Sequence, residues 1–329
     1  MKYISILIVS SIFLSLSSCK KESYTDFDNP DRKKVIEDYN NIKRKNEVYA
    51  FSAENEGQLV NCDYGYVNAE VLQKVLTQLN YYRRFAGVSE LTMDTAFNRQ
   101  CQAVLKYFLS NKDSSRVSPA GKCYTPEALE GWNTMISSSS FFTNFESSVQ
   151  HLMYQEGNEA VNRRWLLYPK LSKIGYGQLK SNFCFKVTGN GTDNSSLVMP
   201  ESVAFPPKGY ILKEMLPKTW MFVVPNADVR FSKVSLKMRD FYNKPKSGNK
   251  DLPMVDISIK VNNAGLSTHG AQGTLGEDPS ILFEITDNRQ INEKFEDEDL
   301  EYEVTIQNVL INGVPKDFTY KVYVIQKAS

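Results

Sequence analysis

Apolar residues recur at helical spacing between Asn68 and Phe85, where Val71, Leu72, Val75, Leu76, Leu79 and Tyr82 mark one face and Gly87 follows as a stop. A second stripe of Phe97, Cys101, Val104, Leu105 and Phe108 predicts a helix from about Asp94 to Leu109. A loop bearing Pro, Gly and Ser, Ser110 to Pro126, separates it from a third helical stretch around Phe145 to Tyr154. A short helix ending in Arg163-Arg164-Trp165-Leu166-Leu167-Tyr168 stops at Pro169. Ile174 to Leu179 and Phe183 to Val187 then alternate like paired strands around Ser181-Asn182. Helices followed by a small antiparallel sheet predict a layered α+β domain.

The pattern changes near Met199. Ala204-Phe205-Pro206-Pro207-Lys208-Gly209-Tyr210 reads as a connector, and short apolar runs follow at Trp220–Val224, Val234–Met238, Val255–Val261, Ile281–Ile285, Tyr302–Ile306 and Tyr320–Ile325. Asn312-Gly313 between Val309-Leu310-Ile311 and Val314 is a strong hairpin signal. This spacing predicts a small all-β, Ig-like sandwich. Ahead of the helical domain, residues 20–60 are polar, with one short helix predicted after Asn29-Pro30-Asp31 from Val35, Ile36, Tyr39 and Ile42. The expected organisation is 1–18, 19–60, 61–198 and 199–329.

Residues 1–18 read as a signal peptide. Lys2 precedes an apolar and Ser run from Tyr3 to Leu16, about 14 residues long and too short to span a bilayer. It ends in Leu16-Ser17-Ser18-Cys19, which resembles a bacterial lipobox, with Cys19 as the diacylated residue. The expectation is a lipid-anchored protein of the bacterial cell envelope, on the outer membrane, facing the periplasm or the surface. The 329 residues carry 39 Lys plus Arg against 38 Asp plus Glu. Removing residues 1–18 takes away only Lys2 among the charges, so the mature chain is neutral and has no footprint for nucleic acid. Export brings an oxidising compartment, in which Cys62, Cys101, Cys123 and Cys184 allow two disulfides in any of three pairings. Cys101 sits on an apolar helical face and is equally a candidate buried thiol. Only two histidines, His151 and His269, are available for metal or nucleophilic chemistry.

Several of these segments together resemble the CAP superfamily, the cysteine-rich secretory, antigen 5 and pathogenesis-related 1 group. Leu79-Asn80-Tyr81-Tyr82-Arg83-Arg84-Phe85-Ala86-Gly87 and Leu91-Thr92-Met93-Asp94 look like its opening helix pair. Glu156-Gly157-Asn158, Asn162-Arg163-Arg164-Trp165-Leu166-Leu167-Tyr168-Pro169 and Ile174-Gly175-Tyr176-Gly177 look like its "G-H-R-R-W-L-L-x-P … V-G-x-G" block. The resemblance covers about residues 66–190 and implies an α-β-α sandwich. It further implies a cleft where two His and two Glu converge, a tetrad that binds a divalent metal in some members. Here Asn162 stands at one His position and the Ser110–Thr125 loop contains no His. Glu130 and Glu156 fall at the acidic positions.

Without imidazole, two carboxylates and the Asn162 oxygen fall short of the six or more oxygens a tight Ca²⁺ site takes. No metal, catalytic residue or cofactor is therefore assigned. His151 and His269 lie too far apart along the chain to pair, and Ser137–Ser140 have no base partner, reading instead as a flexible loop packed by Phe141 and Phe142. The acidic run Glu293–Glu301 lacks the spacing of a calcium loop and reads as a solvated linker. Trp132, Glu130, Glu156 and Asn162 remain as cleft candidates for an unknown small-molecule, glycan or protein ligand. The expected role is a non-enzymatic binding module held at the membrane by lipid. The alternatives are a hydrolase pairing Glu130 with Glu156, as glycosidases pair carboxylates, or a purely structural envelope protein.

Overall fold

A computed structural model describes residues 25–46, 61–113, 115–139, 145–180, 182–189, 191–239, 252–264, 279–286 and 298–326. The apolar N-terminal segment with Cys19, the Phe141-Phe142 pair, the loop with His269 and residues 293–297 of the acidic run lie outside them.

The first four helices each start where a polar side chain meets the first free N–H groups. In α1 (Pro30–Asn46), Asn29 Oδ1 accepts from the N–H of Asp31 at 2.9 Å. Asn68 accepts from Glu70 N at the start of α2 (Ala69–Phe85), and Asp94 from Ala96 and Phe97 at the start of α3 (Thr95–Asn111). α4 (Pro126–Thr134) was not expected from periodicity, because it is short. Its signal is local: Thr125 caps Ala128 N at 3.0 Å and Pro126 opens the first turn. α5 (Phe145–Tyr154) and α6 (Val161–Leu166) follow, joined by a 3₁₀ turn at Gly157–Ala160.

The first sheet contains β1 (Thr92–Met93), β2 (Met135–Ser139), β3 (Lys173–Leu179) and β4 (Asn182–Lys186), in the order β1-β3-β4-β2. The Ser-rich stretch is thereby corrected, since Ser137–Ser139 pair with Cys184–Asn182 as part of β2 rather than forming a loop. Strand alternation gives the sheet two separate cores. Leu179 and Cys184 turn towards α3 and α4. Ile174, Tyr176, Phe183 and Phe185 turn to the other side, into the larger core that also contains Val75 and Leu79 of α2 and Val149 and Leu152 of α5. Gly175 and Gly177 let α3 lie directly on β3: a Cβ at either would stand 2.6 Å from Phe97 or Cys101 atoms. The layers are α-β-α. Cys62 and Cys123 form a disulfide between the loops ahead of α2 and α4, while Cys101 and Cys184 are buried thiols.

The C-terminal half is strand-rich. β5 (Val203–Phe205), β6 (Gly209–Leu212), β7 (Thr219–Val223), β8 (Ala227–Asp228) and β9 (Lys233–Arg239) lead into β10 (Met254–Asp256), β11 (Ile259–Ala264), β12 (Ser280–Ile285), β13 (Leu300–Ile311) and β14 (Val314–Ile325). One sheet runs β11-β12-β7-β5 and the other β10-β9-β13-β14-β6, with β8 also on β13. Between them Trp220 meets Tyr302 edge-on at 5.6 Å, and Phe222 stacks on Tyr320 at 6.0 Å. Asn312 and Gly313 have φ of 52° and 79°, the left-handed pair that closes the β13–β14 hairpin. The single run expected at Val255–Val261 is two strands in different sheets. The chain changes sheet after buried Ile257, whose N–H donates to Leu236 O at 2.9 Å.

Two buried arginines tie these layers together, and neither has a carboxylate partner among the described residues. Arg83 of α2 donates to the carbonyls of Ser89, Leu166, Tyr168 and Leu171. Arg163 of α6 donates to those of Met153, Gln155 and Thr219, the last belonging to β7, with its guanidinium 5.0 Å from the centre of the Phe205 ring. Burial lowers both guanidinium pKa values to about 9, so both stay charged at neutral pH. The predicted N-terminal helix is also docked rather than free: Arg32 of α1, 2% exposed, grips Asp299 at 2.8 and 3.2 Å just before β13. Arg163→Met should leave three interior carbonyls unpaired and lower stability by about 3 kcal/mol or more, read as a lower urea midpoint with an unchanged slope.

Candidate functional site

Glu130 lies on the last turn of α4, beside the end of β4. Its Oε1 accepts from Lys186 Nζ at 3.0 Å, and the same ammonium donates to Thr134 Oγ1 at 2.9 Å. Lys186 is 1% exposed and Glu130 46%, so the carboxylate closes over a buried cation. The ammonium also stands 4.9 Å from the centre of the Phe97 ring. Lys186 follows Cys184 at strand spacing, which puts this cluster on the α3–α4 side of the sheet.

Glu156 and Asn162 lie on the other side, where α5 and α6 meet the C-terminal half. Glu156 is exposed and accepts from Lys218 Nζ at 2.6 Å, which raises the ammonium pKa above its ordinary value. The next residue, Gly157, donates its N–H to Thr219 Oγ1 at 2.8 Å and Glu284 Oε1 at 3.1 Å. Thr219 Oγ1 donates in turn to Glu284 at 2.8 Å. Asn162 Nδ2 donates to Gln155 Oε1 at 2.8 Å, and the Gln155 amide nitrogen is 3.4 Å from His151 Nε2. The one described histidine therefore reaches the Asn162 position through Gln155, although it sits outside the family block in sequence.

Glu130 and Glu156 thus stand in different surroundings, Glu130 against Lys186 beside α3 and α4, and Glu156 against Lys218 where α5 and α6 meet the C-terminal half. Neither carboxylate is left as an unpartnered acid or base. The four-residue metal set implied by the family does not fit either. Asn162 uses its amide on Gln155, and among the described residues no three His, Cys, Asp or Glu come together as a metal set. Trp132 packs half-buried against the α3–β4 core, with Leu129, Met135 and Cys184 in the same cluster. Lys186, Lys218, Thr219 and Glu284 escaped sequence reasoning because all four partner residues more than 50 positions away and nothing local marks them.

A large cavity lies elsewhere. A groove of about 850 Å³ runs between α1, α2 and the outer face of the β6–β14 edge, with Asp31, Lys34, Arg84, Tyr210, Lys321 and Tyr323 among its walls. The Tyr210 and Tyr323 rings lie side by side there, 5.0 Å apart and tilted by 31°. Two of its cations are held in pairs, Lys34 to Asp38 at 2.6 Å and Lys321 to Glu301 at 2.7 Å.

The two carboxylates should behave differently on neutralisation. Glu130→Gln strips the buried Lys186 of its counter-charge and is expected to cost about 1 kcal/mol, whereas Glu156→Gln, at an exposed pair, should stay within about 0.5 kcal/mol of the parent in urea unfolding.

Comparison with known proteins bears on the first half of the chain. Residues 76–189 match the model of the cysteine-rich secretory protein family, CAP. No curated protein matches the chain. Among solved structures, PcoC, a methionine-rich copper resistance protein from Escherichia coli, is similar at 17% identity over 38% of this chain and 95% of its own, with a TM-score of 0.24. Its selenomethionine form is similar at 16% identity over 37% and 94%, also with a TM-score of 0.24. With the α-β-α layers and the family match in agreement, the chain carries a CAP domain, ahead of a strand-rich C-terminal half.

Proposed function

We propose that this protein is a lipid-anchored component of the bacterial cell envelope and a non-enzymatic binding module, and that its ligand site is the groove rather than the family cleft. The groove carries this reading, because it draws its walls from α1, the CAP domain and the C-terminal sheet together. Its chemistry suits a hydroxyl-rich chain such as a glycan. The Tyr210 and Tyr323 rings supply flat apolar surface, while Lys34, Asp31, Arg84 and Lys321 supply donors and acceptors around it.

The anchor rests on Leu16-Ser17-Ser18-Cys19. A mature body without net charge has no overall basic surplus to add to membrane affinity, so the acyl chains on Cys19 do the holding.

Binding is tested by retention of the full chain on insoluble cell-wall polysaccharide. A Tyr210→Ala/Tyr323→Ala variant should lose at least about tenfold in retention, some 1.4 kcal/mol, with little change in melting temperature; equal retention would assign the groove no ligand role. Anchoring is tested by fractionation. Cys19→Ala should move from the membrane pellet to the soluble fraction, and persistence in the pellet would place the anchor elsewhere.

A further inference from the structure

Two thiols meet where α3 lies on the first sheet. Cys101 comes from α3 and Cys184 from β4, and both are 0% exposed. Gly177 of β3 stands directly opposite Cys184 in the ladder. A Cβ on Gly177 would be 2.6 Å from the Cys101 Cβ, so Cys101 fills the space that a side chain next to Cys184 would otherwise take. Cys184 Sγ donates to the Cys101 carbonyl at 3.4 Å, and the Cys101 side chain is also within hydrogen-bonding reach of that thiol. The two residues are neighbours in space and 83 apart in sequence.

The third observation is the Cys62–Cys123 disulfide. Structural disulfides persist in oxidising compartments. Once that pair is closed, the three pairings open to four cysteines reduce to one, between the two residues that the α3–β3 contact brings together. We propose that Cys101 and Cys184 are a disulfide site, and that a bond between them staples α3 to β4. The proposal rests on the first disulfide and the α3–β4 geometry, and stands whether or not Cys19 carries lipid.

The folded pair is poorly placed to react. Burial pushes the Cys184 thiol well above its ordinary pKa, which removes the thiolate that disulfide exchange requires. The bond therefore forms before α3 closes onto the sheet. One thiolate attacks the disulfide of an exported thiol–disulfide oxidoreductase, giving a mixed disulfide. The second thiolate attacks the protein sulfur of that bond, the Cys101–Cys184 bond forms, and the oxidoreductase leaves as a dithiol holding both electrons and both protons.

The test uses the full chain, exported, purified without reductant, unfolded in iodoacetamide and mapped by mass spectrometry. The expected result is a peptide pair joined through Cys101 and Cys184, with neither residue alkylated until reductant is added. Alkylation of both, or a bond from either to Cys62 or Cys123, would overturn the proposal. A Cys101→Ala/Cys184→Ala variant gives a second reading. It should melt several degrees below the parent without reductant, and most of that difference should vanish in reductant; a difference that persists unchanged would mark a packing role alone.

Discussion

The buried guanidiniums of Arg83 and Arg163 set the terms for the rest of the molecule. A charge moved out of water must be solvated by something, and among the described residues neither arginine has a carboxylate to do it. The solvent is the backbone: four carbonyls around Arg83 and three around Arg163. Carbonyls can be pointed inwards only if the helix ends and turns that own them stop in the right places. The end of α6, the Tyr168–Leu171 turn, the end of α5 and the start of β7 are all positioned this way. Because Thr219 belongs to β7, the same requirement fixes the CAP domain against the strands that follow it.

This changes what the family block means. Arg83 and Arg163 are part of the segments that make the chain recognisable, together with Gly175 and Gly177, where α3 touches β3. These are scaffold positions, and their chemistry does not depend on what the cleft holds. The scaffold therefore survives the change at the cleft positions, where Asn162 binds Gln155 and the acidic residues have become partners of lysines.

Legibility in the sequence followed the range of each interaction. α2, α3 and the β3–β4 pair were readable because their signals, an apolar stripe or an alternation, repeat within a few residues. α4 has too few turns to show a stripe, and β1 is two residues long. The run around Val255 was legible as strand but not as two strands, since the change of sheet at Ile257 depends on which neighbours are present. The site was the least legible part. Lys186 and Lys218 have no local mark, and the groove is made of segments that no sequence window contains together. The residue types at Glu130, Glu156 and Asn162 were readable, while the partners that hold them were not.

The grip of Arg32 on Asp299 also sets an order of assembly. Its two ends are 267 residues apart, so this hold on α1, among the first segments made, cannot form until the last part of the chain exists. The wall of the groove contributed by Asp31 and Lys34 thus waits for the wall contributed by Lys321 and Tyr323. The closure of so long a loop comes late, after the local helices and hairpins have formed. A chain cut short before its final hairpin lacks Lys321 and Tyr323, and with them one wall of the groove.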